Sequence, residues 1–127
     1  KYAVTETIVD YAIAKSNFHL ILCNANRSRE ARLALLAKFH DAGFSSILVH
    51  FVIPNEVLAA RVATSNRNTN VFRSASSFEE VLQRQHAEST QKDMAPPTKD
   101  ETNYYFEISS SDEALAIIKS IIQIARE

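Results

Sequence analysis

The sequence predicts a mixed α/β protein with three layers, in which a short, mainly parallel sheet of about three strands lies between helices. Three observations lead there. Apolar runs at 19–23, 47–53 and 104–108 alternate with stretches of helical periodicity. The run Ile47-Leu48-Val49-His50-Phe51-Val52-Ile53 is nearly continuous, which suits a parallel strand covered on both faces. The single glycine, Gly43, follows the clearest helical stretch, where a left-handed cap residue belongs.

The elements follow in order. Residues 4–15 predict a helix, with Val4, Ile8, Tyr11 and Ala12 near helical spacing and Thr5 or Thr7 as a cap. His19-Leu20-Ile21-Leu22-Cys23 predicts a short buried strand, halted by Asn24-Ala25-Asn26. Residues 28–42 predict a helix: Ser28 caps it, Glu30 favours its positive end, and Leu35, Leu36 and Phe39 share a face. After the strand at 47–53, Pro54 is a stop, and Asn55 is placed to cap a helix carrying Val57, Leu58 and Val62. Residues 64–75, rich in Asn, Ser and Arg, predict a mobile loop. Ser76 and Glu79 suggest a capping box for a helix through about Gln85, with Phe78, Val81 and Leu82 as its apolar side. Residues 88–103, with Pro96-Pro97, predict a loop. Tyr104 to Ile108 predicts a strand, and Ser110 or Ser111 caps a last helix with Leu115, Ile118, Ile121 and Ile122 on one stripe. Strands alternating with helices imply parallel pairing through right-handed crossovers. Three strands make a thin sheet, and residues 1–127 read as one incomplete domain.

Composition removes several functions. A net charge of −1 gives no overall attraction to nucleic acid or acidic membranes. No apolar run approaches the roughly 20 residues needed to span a bilayer. Lys1-Tyr2-Ala3-Val4 shows no signal peptide and no Met, which suggests an excised fragment; the one cysteine, Cys23, suggests a reducing cytoplasm. Average glycine usage of about 7% predicts about nine glycines. With one, the chain builds neither a G-x-x-x-x-G-K-[ST] loop nor a G-x-G-x-x-G turn.

Leu20-Ile21-Leu22-Cys23-Asn24-Ala25-Asn26, followed by Arg29-Glu30-Ala31-Arg32, resembles the second half of P-loop kinases of the polynucleotide-kinase and zeta-toxin type. There a hydrophobic strand ends in Asp-Asn-Thr-Asn or a relative, and an Arg-rich turn opens the next helix. Ser77-Phe78-Glu79-Glu80-Val81-Leu82-Gln83-Arg84-Gln85 is similar too, as are Pro97, Glu101 and the strand Tyr104 to Ile108, which resemble a Pro-x-x-x-E-x-x-Y-x-x-I pattern with Ile108 one residue late. The resemblance covers nearly the whole chain in short motifs. It implies a P-loop NTPase-like fold whose first strand, Walker A loop and following helix are missing. That strand would lie between 19–23 and 47–53, so a missing N-terminal segment or partner chain is expected to complete the sheet. Cys23 stands where the family has its Walker B Asp, and a thiol orients Mg²⁺ and its waters poorly.

The resemblance implies ATP and Mg²⁺ as cofactors of the intact protein, with neither bound tightly by this chain alone. It makes 64–75 a lid loop, with Arg61 on the helix leading into it and Arg67 just past that helix closing over phosphates as catalytic residues, joined by Arg73 at the phosphates, with Arg84 as a further candidate. Guanidinium suits this because it stays charged and grips oxygens in a bidentate way. Asn24, Asn26 and Arg27 follow a predicted strand end, where ligands gather in open α/β sheets, and are expected to bind nucleotide or phosphate; the competing reading is an ordinary Asn-rich turn. Cys23 reads as a packed small side chain. His19, His40, His50 and His86 share no metal-ligand spacing, and Ser28 lacks a nucleophile elbow. Tyr104, Tyr105 and Phe106 read as strand core. The expected function is therefore a share in an ATP-dependent phosphotransferase with an open choice of acceptor. The alternatives are a degenerate kinase-like interaction module and an unrelated Rossmann-like binding domain.

Overall fold

A computed structural model of the chain describes residues 2–65, 68–70, 75–90 and 93–126. Along it run α1 (Tyr2–Lys15), α2 (Arg29–Asp41), β1 (Ile47–Phe51), α3 (Asn55–Ala63), α4 (Phe78–Glu88), a 3₁₀ turn (Lys99–Glu101), β2 (Tyr104–Ile108) and α5 (Ser111–Ile124). The class is mixed α/β, and the sheet is parallel. Among the described residues it has two strands, β1 beside β2, in a register that sets Ile47 opposite Tyr104 and Phe51 opposite Ile108.

The expected strand at 19–23 is absent: residues 16–27 form neither helix nor strand. Its side chains are not buried either, with Ile21 88% and Leu22 41% exposed. An isolated run cannot be a strand, because its amides and carbonyls need a neighbouring ladder. Among the described residues, the edge of β1 away from β2 carries no backbone hydrogen bond.

Local chemistry explains the other elements. Ser28 caps α2 by accepting from the Ala31 amide at 3.1 Å. Gly43 lies at φ 86, and the amides of Gly43 and Phe44 close the end of α2 on the carbonyls of His40 and Phe39. Pro54, not Asn55, holds the cap position of α3, and no side chain caps that end. The expected Ser76–Glu79 box is shifted by one residue. Ser77 caps α4 through the Glu80 amide at 3.2 Å, and the Glu80 carboxylate accepts from the Ser76 amide at 2.7 Å. The Glu113 carboxylate reaches back from α5 to the Ser109 and Ser110 amides at 2.8 and 3.3 Å.

The core is small. Among the described residues, Phe39 and Ile108 are its buried apolar residues, and Phe39 meets Phe44 edge-on with centroids 5.7 Å apart. In α5 the half-buried face carries Ala114, Ile117, Ile121 and Ile124. The expected stripe is therefore divided, since Leu115, Ile118 and Ile122 are exposed. Total accessible surface is 9810 Å², against about 6,800 Å² for a compact monomer of 14.2 kDa.

Candidate functional site

The turn at 24–27 leads into α2, and two arginines on either side of it do different work. Arg32, one turn into α2 and 2% exposed, meets Glu101, 6% exposed, from the 3₁₀ turn before β2. Its Nε donates to Oε2 at 2.6 Å and its Nη2 to Oε1 at 3.0 Å. This is the bidentate fork that guanidinium and carboxylate geometry favours. The remaining nitrogen, Nη1, donates to the Asn26 carbonyl at 2.7 Å. Glu101 also accepts from Thr98 Oγ1 at 3.3 Å and lies 3.5 Å from Arg29 Nε. The Arg32 guanidinium holds the Glu101 carboxyl below the usual carboxylate range, against the opposing effect of burial.

Arg27 turns the other way. Its Nη1 reaches Glu88 Oε2 at 3.0 Å, and its Nη2 donates to the Gln85 carbonyl and to Ser89 Oγ. A cation at the C-terminal end of α4 meets the negative end of that helix. Asp93 fastens the start of α2: its carboxylate accepts from Ser28 Oγ and, at 3.1 Å, from the Glu30 amide. The Ser28 hydroxyl is the main reason its carboxyl titrates low, with the Glu30 amide next. Ser28 and Met94 form an antiparallel bridge beside it.

The residues expected at a phosphate site are thus divided. Asn26 and Arg27 share the turn that leads into α2, which Arg27 ties to the end of α4, with Asn24 exposed beside them. Arg61 lies in the last turn of α3, where its Nη2 is 3.4 Å from Ser111 Oγ at the first residue of α5. That end of α5 directly follows the C-terminal end of β2, the side on which open α/β sheets hold ligands. Arg67 and Arg73 lie outside the described residues. Cys23, expected to pack inside, is exposed. Tyr104 is 40% exposed, while Tyr105 and Phe106 are half-buried.

A cross-strand group on the sheet has no counterpart among the sequence-based expectations. His50 Nδ1 lies 3.0 Å from the Tyr105 hydroxyl, which donates to Glu107 Oε1 at 3.0 Å. Burial and the neighbouring Glu107 push the Tyr105 hydroxyl up. Only the register reveals this group, since it makes His50 and Glu107 direct partners. Arg32 and Glu101 are visible in the motifs, but their pairing spans 69 positions and has no local signal. No group of three or more His, Cys, Asp and Glu suited to a metal ion occurs among the described residues. No protein family, curated protein or solved structure matches the chain.

Proposed function

We propose that this chain is the C-terminal part of an ATP-binding P-loop phosphotransferase of the polynucleotide-kinase and zeta-toxin type. A strand and phosphate loop supplied by a preceding segment or a partner chain would complete it. The observation that carries the reading is the open edge of β1 together with the unpaired apolar run 19–23. A strand seated between them gives both runs the backbone partners they lack and covers Ile21.

In this reading the missing part cradles the phosphates of Mg·ATP. Arg61 and Arg67 close over them as the lid, with Arg73 beside them. Asn24 and Asn26 offer amides at the strand end, and Arg27, its charge paired with Glu88, anchors the turn to α4. Phosphoryl transfer depends on positioning and charge neutralisation, so this chain alone is inactive. The second reading, a kinase-like interaction module without catalysis, is favoured by Cys23, a thiol where the family keeps a metal-orienting Asp.

Calorimetric titration with Mg·ATP tests the first reading. The 127-residue chain should show negligible binding. A longer polypeptide with a G-x-x-x-x-G-K-[ST] loop upstream of Lys1 should bind at micromolar levels, and Arg61→Ala should weaken its phosphoryl transfer at least tenfold, about 1.4 kcal/mol. Micromolar binding by the short chain, or none by the longer one, overturns the proposal. Binding without transfer, with Cys23→Asp restoring transfer, assigns the natural sequence to the non-catalytic reading.

A further inference from the structure

We propose that Arg32 and Glu101 are positioning residues: together they clamp the turn at 24–27 so that the amide side chains of Asn24 and Asn26 are presented to a phosphate-bearing ligand. This rests on the phosphotransferase reading for the ligand, though not for the clamp.

The clamp is visible in how the arginine is spent. A buried guanidinium needs its donors satisfied. Arg32 uses Nε and Nη2 on Glu101 and turns Nη1 to the Asn26 carbonyl at 2.7 Å. Glu101 therefore fixes the plane of the guanidinium, and the guanidinium fixes the turn. Asn26 is held at φ 42, the one non-glycine residue with positive φ among the described residues. Such a conformation crowds the Cβ against the backbone and persists where surrounding structure enforces it. Arg27 secures the following position from the other side, through Gln85, Glu88 and Ser89.

An Asn in an ordinary turn commonly uses its own side chain to brace the backbone. Here neither Asn24 nor Asn26 has a side-chain hydrogen bond among the described residues. Two guanidinium groups brace the turn instead, and the amides are left over. That division suits groups kept for a ligand, because preorganised donors need no rearrangement when charge arrives.

The test uses the double variant Arg32→Met, Glu101→Leu, which removes both buried charges together and preserves side-chain bulk, an exchange buried ion pairs often tolerate. Amide ¹⁵N order parameters at Asn26 and Arg27 should fall from about 0.85 to below about 0.6, while the circular dichroism spectrum and cooperative melt are kept. Arg32→Lys, which keeps charge without the fork, should give an intermediate value and covers the case in which the double variant does not fold. In the longer polypeptide the double variant should weaken Mg·ATP binding at least tenfold. A folded variant whose turn stays rigid overturns the clamp. A loosened turn with unchanged ATP affinity overturns the positioning role. If the unaltered longer polypeptide binds no ATP, the phosphotransferase reading and the ligand role fall together, and the order parameters alone decide the clamp.

Discussion

The runs His19–Cys23 and Ile47–Phe51 are equally long and similarly apolar, yet only the second is a strand. β1 is bracketed at both ends. Before it, the Ser46 amide donates to Asn103 Oδ1 at 2.8 Å, and the Ser46 carbonyl accepts from Thr102 Oγ1 and the Tyr104 amide. After it, the Val52 amide donates to the Ile108 carbonyl at 2.9 Å. His40 Nε2, near the end of α2, lies 2.8 Å from Ser46 Oγ. Among the described residues, no backbone hydrogen bond brackets 19–23 in this way. Apolar composition nominates a strand; a partner in register makes one.

The largest expected effect sets these two regions against each other. Ile108→Ala, at the paired and buried end of β2, should cost about 3 kcal/mol in urea unfolding. Ile21→Ala, at a residue 88% exposed, should change stability by less than about 0.5 kcal/mol in this chain. In a polypeptide that supplies the additional strand, the Ile21→Ala cost should rise above about 1 kcal/mol as the side chain becomes covered. Equal losses at both positions in the short chain would show that 19–23 is already packed, removing the comparison.

The same contrast decides what is legible in the sequence. The ends of α2 are readable because their causes are local: Ser28 three residues from the amide it caps, Gly43 just past the cap residue Ala42; at α3 and α4 the same signals miss the cap by one residue. The β1 and β2 runs are readable from apolar patterning, and parallel pairing from the helices between them. The failure at 19–23 has the opposite cause, since apolar patterning cannot report whether a neighbouring strand exists. The α5 stripe misleads for a related reason: its apolar residues gather on one broad side of the helix, and only part of that side has a neighbour to pack against. At the candidate site, Asn24, Asn26 and Arg27 stand out because they follow an apolar run. The Arg32–Glu101 pair does not, because tertiary structure alone brings its members together.

Acid should act on the tied region. The Glu101 carboxyl is held low chiefly by the Arg32 hydrogen bond, and those of Asp93 and Glu113 chiefly by hydrogen bonds from Ser28 and the Ser109 amide. A folded-state value below the unfolded one means that this stability is fully present above about pH 4.3, the ordinary Glu value. It is lost as pH falls further, through the depressed folded value. Urea midpoints should therefore hold steady from about pH 7 to 5 and drop below about 4. Glu101→Gln should lower the plateau and flatten the acid drop. A drop of unchanged steepness would assign the acid sensitivity to the other carboxylates.

The smallest effects concern the two turns that deliver each run to α2. Gly43, on the β1 side, sits at φ 86, and a methyl group added there would have no neighbour within 4 Å. Gly43→Ala meets no clash, so its cost is backbone conformation alone, about 1 kcal/mol. Asn26, on the 19–23 side, sits at φ 42 and bears that kind of cost already. Asn26→Gly relieves it but gives the unfolded chain more freedom to lose, and the two changes oppose each other. Its net effect on the urea midpoint should be within about 0.5 kcal/mol, of either sign. Because the Arg32 bond goes to the Asn26 carbonyl and not to its side chain, glycine keeps the clamp while removing one of the two free amides. Asn26→Gly thus separates the turn's shape from its chemistry: stability should barely move, while ATP affinity in the longer polypeptide should fall. A large loss of stability would return Asn26 to the role of an ordinary turn residue.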